Sequence, residues 1–175
     1  MELTKVDKEG ETVYIRPAMI GDIEALLAIY NDAVLHTTAT YDYHPRSLPE
    51  QLTWFQSKQE GGYPILVGII KNNVAGFSSY GSFRARPGYR YTVEHSVYVH
   101  QNFRCRGLAR ILMTSLLQQA KNAGYHVMIA GIDADNIPSL NLHEQLGFIQ
   151  VGHLKEVGWK FERRLDLIMV QKIIG

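Results

Sequence analysis

A short basic segment in the middle of the chain has the residue types and spacing of an anion site. It reads Arg104-Cys105-Arg106-Gly107-Leu108-Ala109-Arg110, and it lies between a β-prone run and an amphipathic pattern typical of a helix. The first N–H groups of a helix lack internal partners and carry partial positive charge, so an anion is favoured there. Gly107 and Ala109 are small enough for a phosphate to approach the backbone. The alternative is a surface loop whose arginines serve solubility, a usual source of false matches to short motifs.

A second basic pair, Arg84 and Arg86, flanks Ala85 in a turn that follows a predicted strand. Each guanidinium offers a fork of donors that matches a carboxylate or a phosphinate, so the two side chains could clamp such a group. The alternative is a solvated charged loop. Tyr89 and Tyr91 follow, and they could line a pocket or belong to the core.

Several other catalytic patterns are absent from the sequence. Neither G-x-x-x-x-G-K-[ST] nor G-x-G-x-x-G after a strand occurs, which argues against a P-loop and a dinucleotide fold. The seven histidines lack ligand spacing and one cysteine cannot build a zinc site, so no metal is predicted. The run from Gly76 to Gly81 is not G-x-S-x-G, and Glu94, His95 and Ser96 alternate between two faces of a strand. A serine hydrolase is therefore not indicated.

The composition is that of one soluble domain. The chain has 175 residues, of which 46% are hydrophobic and 20% charged, enough for a sizeable core. A net charge of +1 favours neither nucleic acid nor an anionic membrane, so any anion site must be built locally. The lone Cys105 suits a reducing compartment. No apolar run reaches the length of a membrane span, and the first residues lack the core of a signal peptide. We expect a cytoplasmic protein.

Hydrophobic periodicity predicts a flexible arm over residues 1–12 and a single mixed α/β domain over residues 13–175. A capping box at Ser47 and Glu50 starts one helix, and Asn72-Asn73 predicts a tight hairpin turn. The unit over 91–132 predicts a right-handed parallel crossover. The predicted strands are 13–16, 65–71, 74–83, 91–99, 126–132, 148–156 and 165–173, and the predicted helices are 23–35, 47–60, 107–122 and 138–146.

The basic segment resembles the acetyl-CoA-binding motif of the GCN5-related N-acetyltransferases. The likeness covers about residues 13–173 and is strongest to the phosphinothricin and methionine-sulfoximine acetyltransferases. It departs at Ala109, where that family usually has glycine, and at Glu162-Arg163, where a small residue often precedes the arginine. The motifs that carry it are Tyr30-Asn31, Thr38-Ala39-Thr40, the segments 81–86, 92–99 and 130–136, Leu142-His143-Glu144, Leu146-Gly147-Phe148, Val157-Gly158, Lys160-Phe161 and Leu165-Asp166-Leu167.

This resemblance implies the family's fold, a mostly antiparallel twisted sheet with a parallel crossover at the cofactor site and about four flanking helices. It also implies acetyl-CoA as co-substrate and a homodimer. A strand edge can receive the amide-bearing arm of such a cofactor as an added strand. The implied cofactor residues are Val97, Tyr98 and Val99 for the pantetheine arm, Cys105, Arg106, Gly107, Leu108, Ala109 and Arg110 for the pyrophosphate, and Asn136 near the thiol. The implied substrate residues are Arg84, Ala85, Arg86, Glu94, His95 and Ser96.

Two residues are candidates for proton transfer. Attack on a thioester needs a neutral amine, and Glu94 lies on the strand that leads to the cofactor, so it is the candidate general base, directly or through a water. The alternative is a carboxylate that is structural or only binds the ammonium. His143, on the helix after Asn136, could hydrogen-bond the substrate or protonate the departing thiolate, or it could be a structural histidine.

Three functions are compatible with these residues. The first is acetyl transfer to the α-amine of a small amino-acid-like substrate such as phosphinothricin, methionine sulfoximine or methionine sulfone. The second is acetylation of another amine, on a protein N-terminus or a polyamine. The third is a non-catalytic acyl-CoA-binding module, against which the presence of Glu94, Arg84 and Arg86 argues.

Overall fold

The computed structural model describes residues 3–175, which form an eight-stranded sheet with helices on both faces. The sheet order is β1-β2-β3-β4-β5-β6-β8-β7, and every neighbouring pair is antiparallel except β5 and β6. The predicted mixed fold is confirmed. The strands are β1 Leu3–Val6, β2 Thr12–Pro17, β3 Ile65–Ile70, β4 Asn73–Ser82, β5 Thr92–Val99, β6 Val127–Asp133, β7 Ile149–Lys160 and β8 Arg163–Ile173. The α-helices are α1 Ile23–His36, α2 Leu48–Glu60, α3 Leu108–Asn122 and α4 Ile137–Gln145.

Two apolar clusters hold the middle of the sheet from opposite sides. On one face Leu112 and Leu116 of α3 are fully buried against Leu66 of β3 and its neighbours. On the other face Leu26 of α1 and Phe55 of α2 are buried against β3 and β4. Full burial of each such side chain contributes about 1.5–3 kcal/mol, so β4 and β5 are fixed firmly between the layers. No helix within residues 3–175 is long and apolar enough to cross a membrane.

The one parallel pair separates along its length. Cα partners join β5 and β6 only from Thr92 with Val127 to Glu94 with Ile129. Beyond Glu94, β5 continues to Val99 and stays paired with β4 on its other side. The edge of β5 at residues 96–99 that faces β6 therefore has no strand beside it. Backbone N–H and C=O groups on such an edge can pair with an extended ligand.

Residues 3–12 form a hairpin with β2 in place of the flexible arm predicted for residues 1–12. Leu3–Val6 pairs with β2 in an antiparallel hairpin, from Leu3 opposite Ile15 to Val6 opposite Thr12. Its turn is closed by Asp7, whose Oδ1 accepts hydrogen bonds of 2.9 Å from the N–H groups of Glu9 and Glu11. Its apolar residues, Leu3 and Val6, are three positions apart and do not alternate with polar ones, so the pattern gave no strand signal. Residues 1 and 2 lie outside the described residues.

The residues predicted to begin α2 and to form the β3–β4 turn adopt largely the predicted structures. The Ser47 N–H donates to Glu50 Oε2 at 2.7 Å, and the Glu50 N–H donates to Ser47 Oγ at 3.5 Å, which completes the capping box of α2. The β3–β4 turn differs by one residue from the prediction. Lys71 and Asn72 have the positive φ values, 49° and 64°, and Asn73 already pairs with Ile70. The two-residue turn is thus Lys71-Asn72, because only that choice keeps the register of the hairpin.

Candidate active site

The predicted anion segment is a tight loop between β5 and α3. Cys105 and Gly107 have φ values of 64° and 84°, both in the left-handed region. Gly107 precedes α3 without a side-chain cap, and the Ile111 N–H donates to the Gly107 carbonyl at 3.3 Å. By the geometry of a helix start, the N–H groups of residues 108–110 have no acceptor within the helix. They are the donor set that the sequence predicts for an anion.

A cavity of about 880 Å³ opens at this loop. It is bounded by the end of α1, by β5, by the start of α3 and by α4, and the β7–β8 turn adds Phe161 and Arg163. A space of this size holds a drug-sized ligand. Nine of the ten predicted cofactor residues line it, namely Val97, Tyr98, Val99, Cys105, Gly107, Leu108, Ala109, Arg110 and Asn136. The structure therefore brings the predicted set together, with Arg106 as the exception.

The side chain of Arg106 is directed to the N-terminal hairpin. Its Nη2 is 2.6 Å from Asp7 Oδ2, its Nε donates to the same oxygen at 2.7 Å, and its Nη1 is 3.2 Å from Glu9 Oε2. Burial raises the pKa of the Asp7 carboxyl, but hydrogen bonds from the Glu11 N–H, Arg106 and the Glu9 N–H together hold that pKa below its usual value. The side chain of Arg106 thus attaches the hairpin to the loop and does not line the cavity, and a contact of this residue with the cofactor stays a prediction.

Two other arginines of the segment border the cavity. Arg104 donates to Asp32 Oδ2 of α1 at 2.8 Å and to the Val99 carbonyl at 3.3 Å. Arg110 forms a side-chain hydrogen bond with Gln145 of α4. The charge of Arg104 is shared with a carboxylate, whereas the partner of Arg110 is neutral. Arg110 therefore keeps its full charge for an anion in the cavity.

A smaller cavity of about 200 Å³ occupies the wedge where β5 and β6 separate. Ser96 and Tyr98 of β5 border it on one side, and Gly131 and Asp133 of β6 on the other. Asn136, which borders both cavities, precedes α4 and accepts a 3.2 Å hydrogen bond from the Ser139 N–H through its Oδ1. Its side-chain N–H₂ group remains a donor. The wedge thus connects the unpaired edge of β5 with the residue predicted to lie near the cofactor's thiol.

Side chains of β5 alternate between the two faces of the sheet, as the sequence predicts. Tyr98 packs between Tyr30 and Phe77 on the α1 side, with ring centroids 5.4 and 5.3 Å away. Val93 belongs to the cluster on the α3 side. Glu94 has the parity of Tyr98 and is exposed. Although the side chain is partly exposed, the desolvation of its carboxyl raises the pKa above the ordinary value, and the charges of Arg84 and Lys58 act to lower it. A carboxylate with a raised pKa is a better general base near neutral pH.

Lys58 of α2 is a site residue that the sequence did not single out. Its half-buried ammonium donates to the Tyr80 carbonyl at 2.8 Å, beside Gly81, which is the cross-strand partner of Glu94. Burial, and secondarily Arg46, lowers the pKa of Lys58 to about 8, whereas Glu94 acts to raise it. Lysines on amphipathic helices are usually solvated, so no signal in the sequence distinguishes this one.

His143 and His95 form a buried pair. The two Nε2 atoms are 3.2 Å apart, the rings stack with centroids 5.1 Å apart, and His143 Nδ1 is 2.7 Å from the Ser139 carbonyl. A carbonyl only accepts, so His143 carries its proton on Nδ1 and its Nε2 accepts from His95. Burial lowers the pKa of both rings, that of His95 furthest. A neutral His143 therefore has no proton to offer the cavity, and His95 is not brought together with Glu94.

Arg84, Ala85 and Arg86 form an exposed turn that borders neither cavity. The Arg84 guanidinium lies 5.0 Å from the Phe83 ring centroid, and its charge acts on Glu94. The turn is thus near the candidate base but away from the predicted anion segment. Across residues 3–175 no three His, Cys, Asp or Glu side chains are arranged to hold a metal ion.

Comparison with known proteins identifies the family to which this fold and site belong. A family model described as the acetyltransferase (GNAT) family matches residues 25–148. The chain is 43% identical over 157 residues to the L-methionine sulfoximine/L-methionine sulfone acetyltransferase of Salmonella typhimurium, covering 90% of this chain and 92% of that relative.

Two solved structures share the whole fold. A ribosomal-protein-alanine N-acetyltransferase from Brucella melitensis is 44% identical with a TM-score of 0.89, over 91% of this chain and 98% of that one. A GNAT superfamily phosphinothricin acetyltransferase from Sinorhizobium meliloti, in complex with acetyl-CoA, is 32% identical with a TM-score of 0.91, over 93% and 89%. The acetyltransferase class and the fold predicted from the sequence are confirmed, and the chain belongs to the acetyltransferase (GNAT) family.

Proposed function

We propose that the protein transfers the acetyl group of acetyl-CoA directly to the α-amine of a small amino-acid-like substrate of the methionine sulfoximine, methionine sulfone or phosphinothricin type. The observation that carries this proposal is a single cavity that joins the unpaired edge of β5 to the open first turn of α3. One end can pair with amides and the other can hold phosphates, which matches the two halves of coenzyme A. The relative named for methionine sulfoximine supports the substrate class.

In this arrangement the loop holds the pyrophosphate. The N–H groups of residues 108–110 donate to phosphate oxygens, and Arg110 adds a charge. The backbone of residues 97–99 takes up the pantetheine amides, and Asn136 lies near the thiol end. Ala109, in place of the family's usual glycine, still leaves the backbone accessible because its side chain is a single methyl group.

The chemistry is one nucleophilic substitution. The amine nitrogen attacks the thioester carbonyl, a C–N bond forms, the C–S bond breaks, and coenzyme A leaves as a thiolate. Glu94 takes the proton that the amine must lose. A strand rises about 3.3 Å per residue, so Glu94 lies about 10 Å along β5 from residue 97. We therefore expect a water to carry the proton between the amine and the carboxylate.

The acceptor binds on the Glu94 side of β5. Arg84 and Arg86 hold its carboxylate or phosphinate, and Ser96, which shares the parity of Glu94, is available for a hydrogen bond. The substrate ammonium is drawn to the Glu94 carboxylate before it is deprotonated. Exposed arginines can turn inwards on binding, since side-chain rearrangements at ligand sites are common.

The test is release of coenzyme A thiol by the purified protein. With acetyl-CoA, we expect turnover on methionine sulfoximine, methionine sulfone or phosphinothricin. The double variant Arg84→Met/Arg86→Met should raise KM for these substrates while leaving acetyl-CoA affinity unchanged. Activity on a peptide or polyamine without activity on these three would overturn the substrate class, and acetyl-CoA binding without any turnover would indicate a binding module.

The 44% identity to a protein named for ribosomal-protein-alanine acetylation favours acetylation of a protein N-terminus as the second candidate. Both candidates place an α-amine at the same thioester. They differ in the acceptor carboxylate, which is free in an amino acid and lies in an amide bond in a peptide. Comparing kcat/KM for methionine sulfone and for an alanine-ended peptide separates them.

We further propose that the protein is a cytoplasmic homodimer. The long edge strand β7 carries large apolar side chains that are about half exposed, Ile149, Val151, Val157 and Trp159. An exposed apolar edge of this length is usually covered by another chain, and a second copy is its simplest partner. Monomeric mass in light scattering at micromolar concentration would refute the dimer. The exposed free thiol of Cys105 suits a reducing compartment.

A further inference from the structure

The β1–β2 turn, residues 7–11, packs directly on the predicted phosphate loop. The Lys8 N–H donates to the Arg106 carbonyl at 3.0 Å, and the Asp7 carboxylate holds the Arg106 guanidinium from the same turn. The turn lies outside residues 25–148, the part matched by the family model. The family match therefore does not describe the role of this turn.

The side chain of Lys8 extends along this loop into the cavity. It lines the 880 Å³ cavity together with Gly107, Ala109 and Arg110. Its methylene stem crosses Gly107, with Cγ and Cε lying 3.4 and 3.6 Å from where a Cβ at Gly107 would stand. The ammonium is one bond beyond Cε, so it lies at the start of α3. The Arg106 guanidinium is not at this position, because it pairs with Asp7.

The three carboxylates of the turn, Asp7, Glu9 and Glu11, are matched in total charge by Lys8, Arg106 and Lys71, and they are directed to the last two of these cations. Arg106 is paired with Asp7 and Glu9, and Lys71 is 2.9 Å from Glu11, so every acidic side chain of the turn has a cationic partner. Within residues 3–175, no carboxylate lies within 4.0 Å of the Lys8 ammonium. The carboxylates of the turn do not line the cavity, whereas Lys8 does, so the charge that the turn brings nearest to an anion there is positive.

We propose that Lys8 binds a phosphate group of acetyl-CoA and takes the place in the cavity that the sequence assigns to Arg106. The inference rests on the proposed placement of the cofactor's pyrophosphate at the start of α3. The Asp7–Arg106 ion pair attaches the turn to the loop and so keeps Lys8 at the start of α3. The hairpin is therefore part of the cofactor site. The ligand chemistry is that of a phosphate oxygen, from either the pyrophosphate or the 3′-phosphate.

The test compares Lys8→Met with Lys5→Met. Lys5 is an exposed residue of β1 in the same hairpin, and replacing it leaves the turn unchanged. Calorimetry with acetyl-CoA should give a Kd about tenfold weaker for Lys8→Met, because a charge-assisted hydrogen bond is lost. Lys5→Met should bind like the wild type, and Lys8→Arg should recover most of the loss. The difference should shrink in about 1 M salt, where exposed charges are screened.

Titration with 3′-dephospho-coenzyme A identifies the phosphate. If Lys8→Met still costs about tenfold with this ligand, the lysine binds the pyrophosphate, and if the loss vanishes, it binds the 3′-phosphate. A Lys8→Met protein that binds acetyl-CoA as tightly as wild type overturns the inference and leaves the proposed function intact. A wild-type protein that does not bind acetyl-CoA overturns both.

Discussion

Replacing Gly76 by alanine tests whether the position of the β5 edge controls cofactor binding. A Cβ at Gly76 would lie 2.7 Å from the Tyr98 carbonyl oxygen and 3.2 Å from Val99 Cα, where ordinary contact begins at 3.4 Å. A third contact, 3.2 Å from Leu108 Cδ2, is with a side-chain end that can rotate, but the other two are with backbone atoms. β5 itself must therefore move by several tenths of an ångström. Overpacking of this kind costs about 1–3 kcal/mol of unfolding free energy. Because a misplacement near 1 Å can lower rates about 100-fold, we expect kcat/KM for acetyl-CoA to fall by roughly tenfold or more.

Gly68 offers the matched control, since it is the direct cross-strand partner of Gly76. A Cβ at Gly68 would meet Leu108 Cδ1 at 2.8 Å, the end of a flexible side chain that can rotate away. Gly68→Ala also gains about 0.4–1 kcal/mol by restricting the unfolded chain, so its net effect should be small. Urea unfolding measures the stabilities, and calorimetry and thiol release measure binding and turnover. If Gly76→Ala loses stability but binds and turns over acetyl-CoA like Gly68→Ala, the β5 edge does not position the cofactor.

Three further predictions concern protons. Glu94→Gln should lower kcat/KM by about 10²–10⁴ at neutral pH and recover partly at higher pH, while Glu60→Gln on exposed α2 surface should behave as wild type; full activity of Glu94→Gln would exclude it as the base. Lys58→Met should move the acidic limb of the pH–rate profile to higher pH, because Lys58 lowers the pKa of Glu94 and a base works only when deprotonated; an unmoved limb would separate the two residues. Burial lowers the pKa of His95 and His143, so the unfolded chain binds more protons below about pH 6.5 and stability should fall there by about 1.4 kcal/mol per pH unit and group; a His95→Phe variant with the same slope in urea unfolding would refute this.

The elements that position the site are readable from the sequence because each has a local signal. Each of these signals acts over a few residues, and each is found in the structure. They are the helix patterns, the capping box at Ser47 and the glycines that follow α3 and α4. The backbone of the loop over residues 104–107, which we propose to hold the cofactor, was predictable for the same reason. A small residue, a strand end and a helix start within ten positions specify the backbone that surrounds an anion.

What the sequence could not give are pairings between distant segments. The partner of Arg106 is 99 positions away in a turn predicted as flexible, and nothing local distinguishes a guanidinium that faces a phosphate from one that faces Asp7. The contact between His95 and His143, 48 positions apart, is of the same kind. Lys58 lies near Glu94 only because α2 packs over β4. In each case the role of a charged or titratable side chain depends on tertiary contacts rather than on its own motif.

The position of β8 has a consequence for how the protein is made. β8 follows both β6 and β7 in the chain, yet it lies between them and pairs with both. During synthesis the edge of β6 therefore stays open until residues 163–173 have left the ribosome, and β7 has no neighbour in the sheet before then. An open edge of this kind is a site for pairing with other chains. The nascent chain is therefore most open to such pairing after residues 104–110 have been made and before residues 163–173 close the sheet.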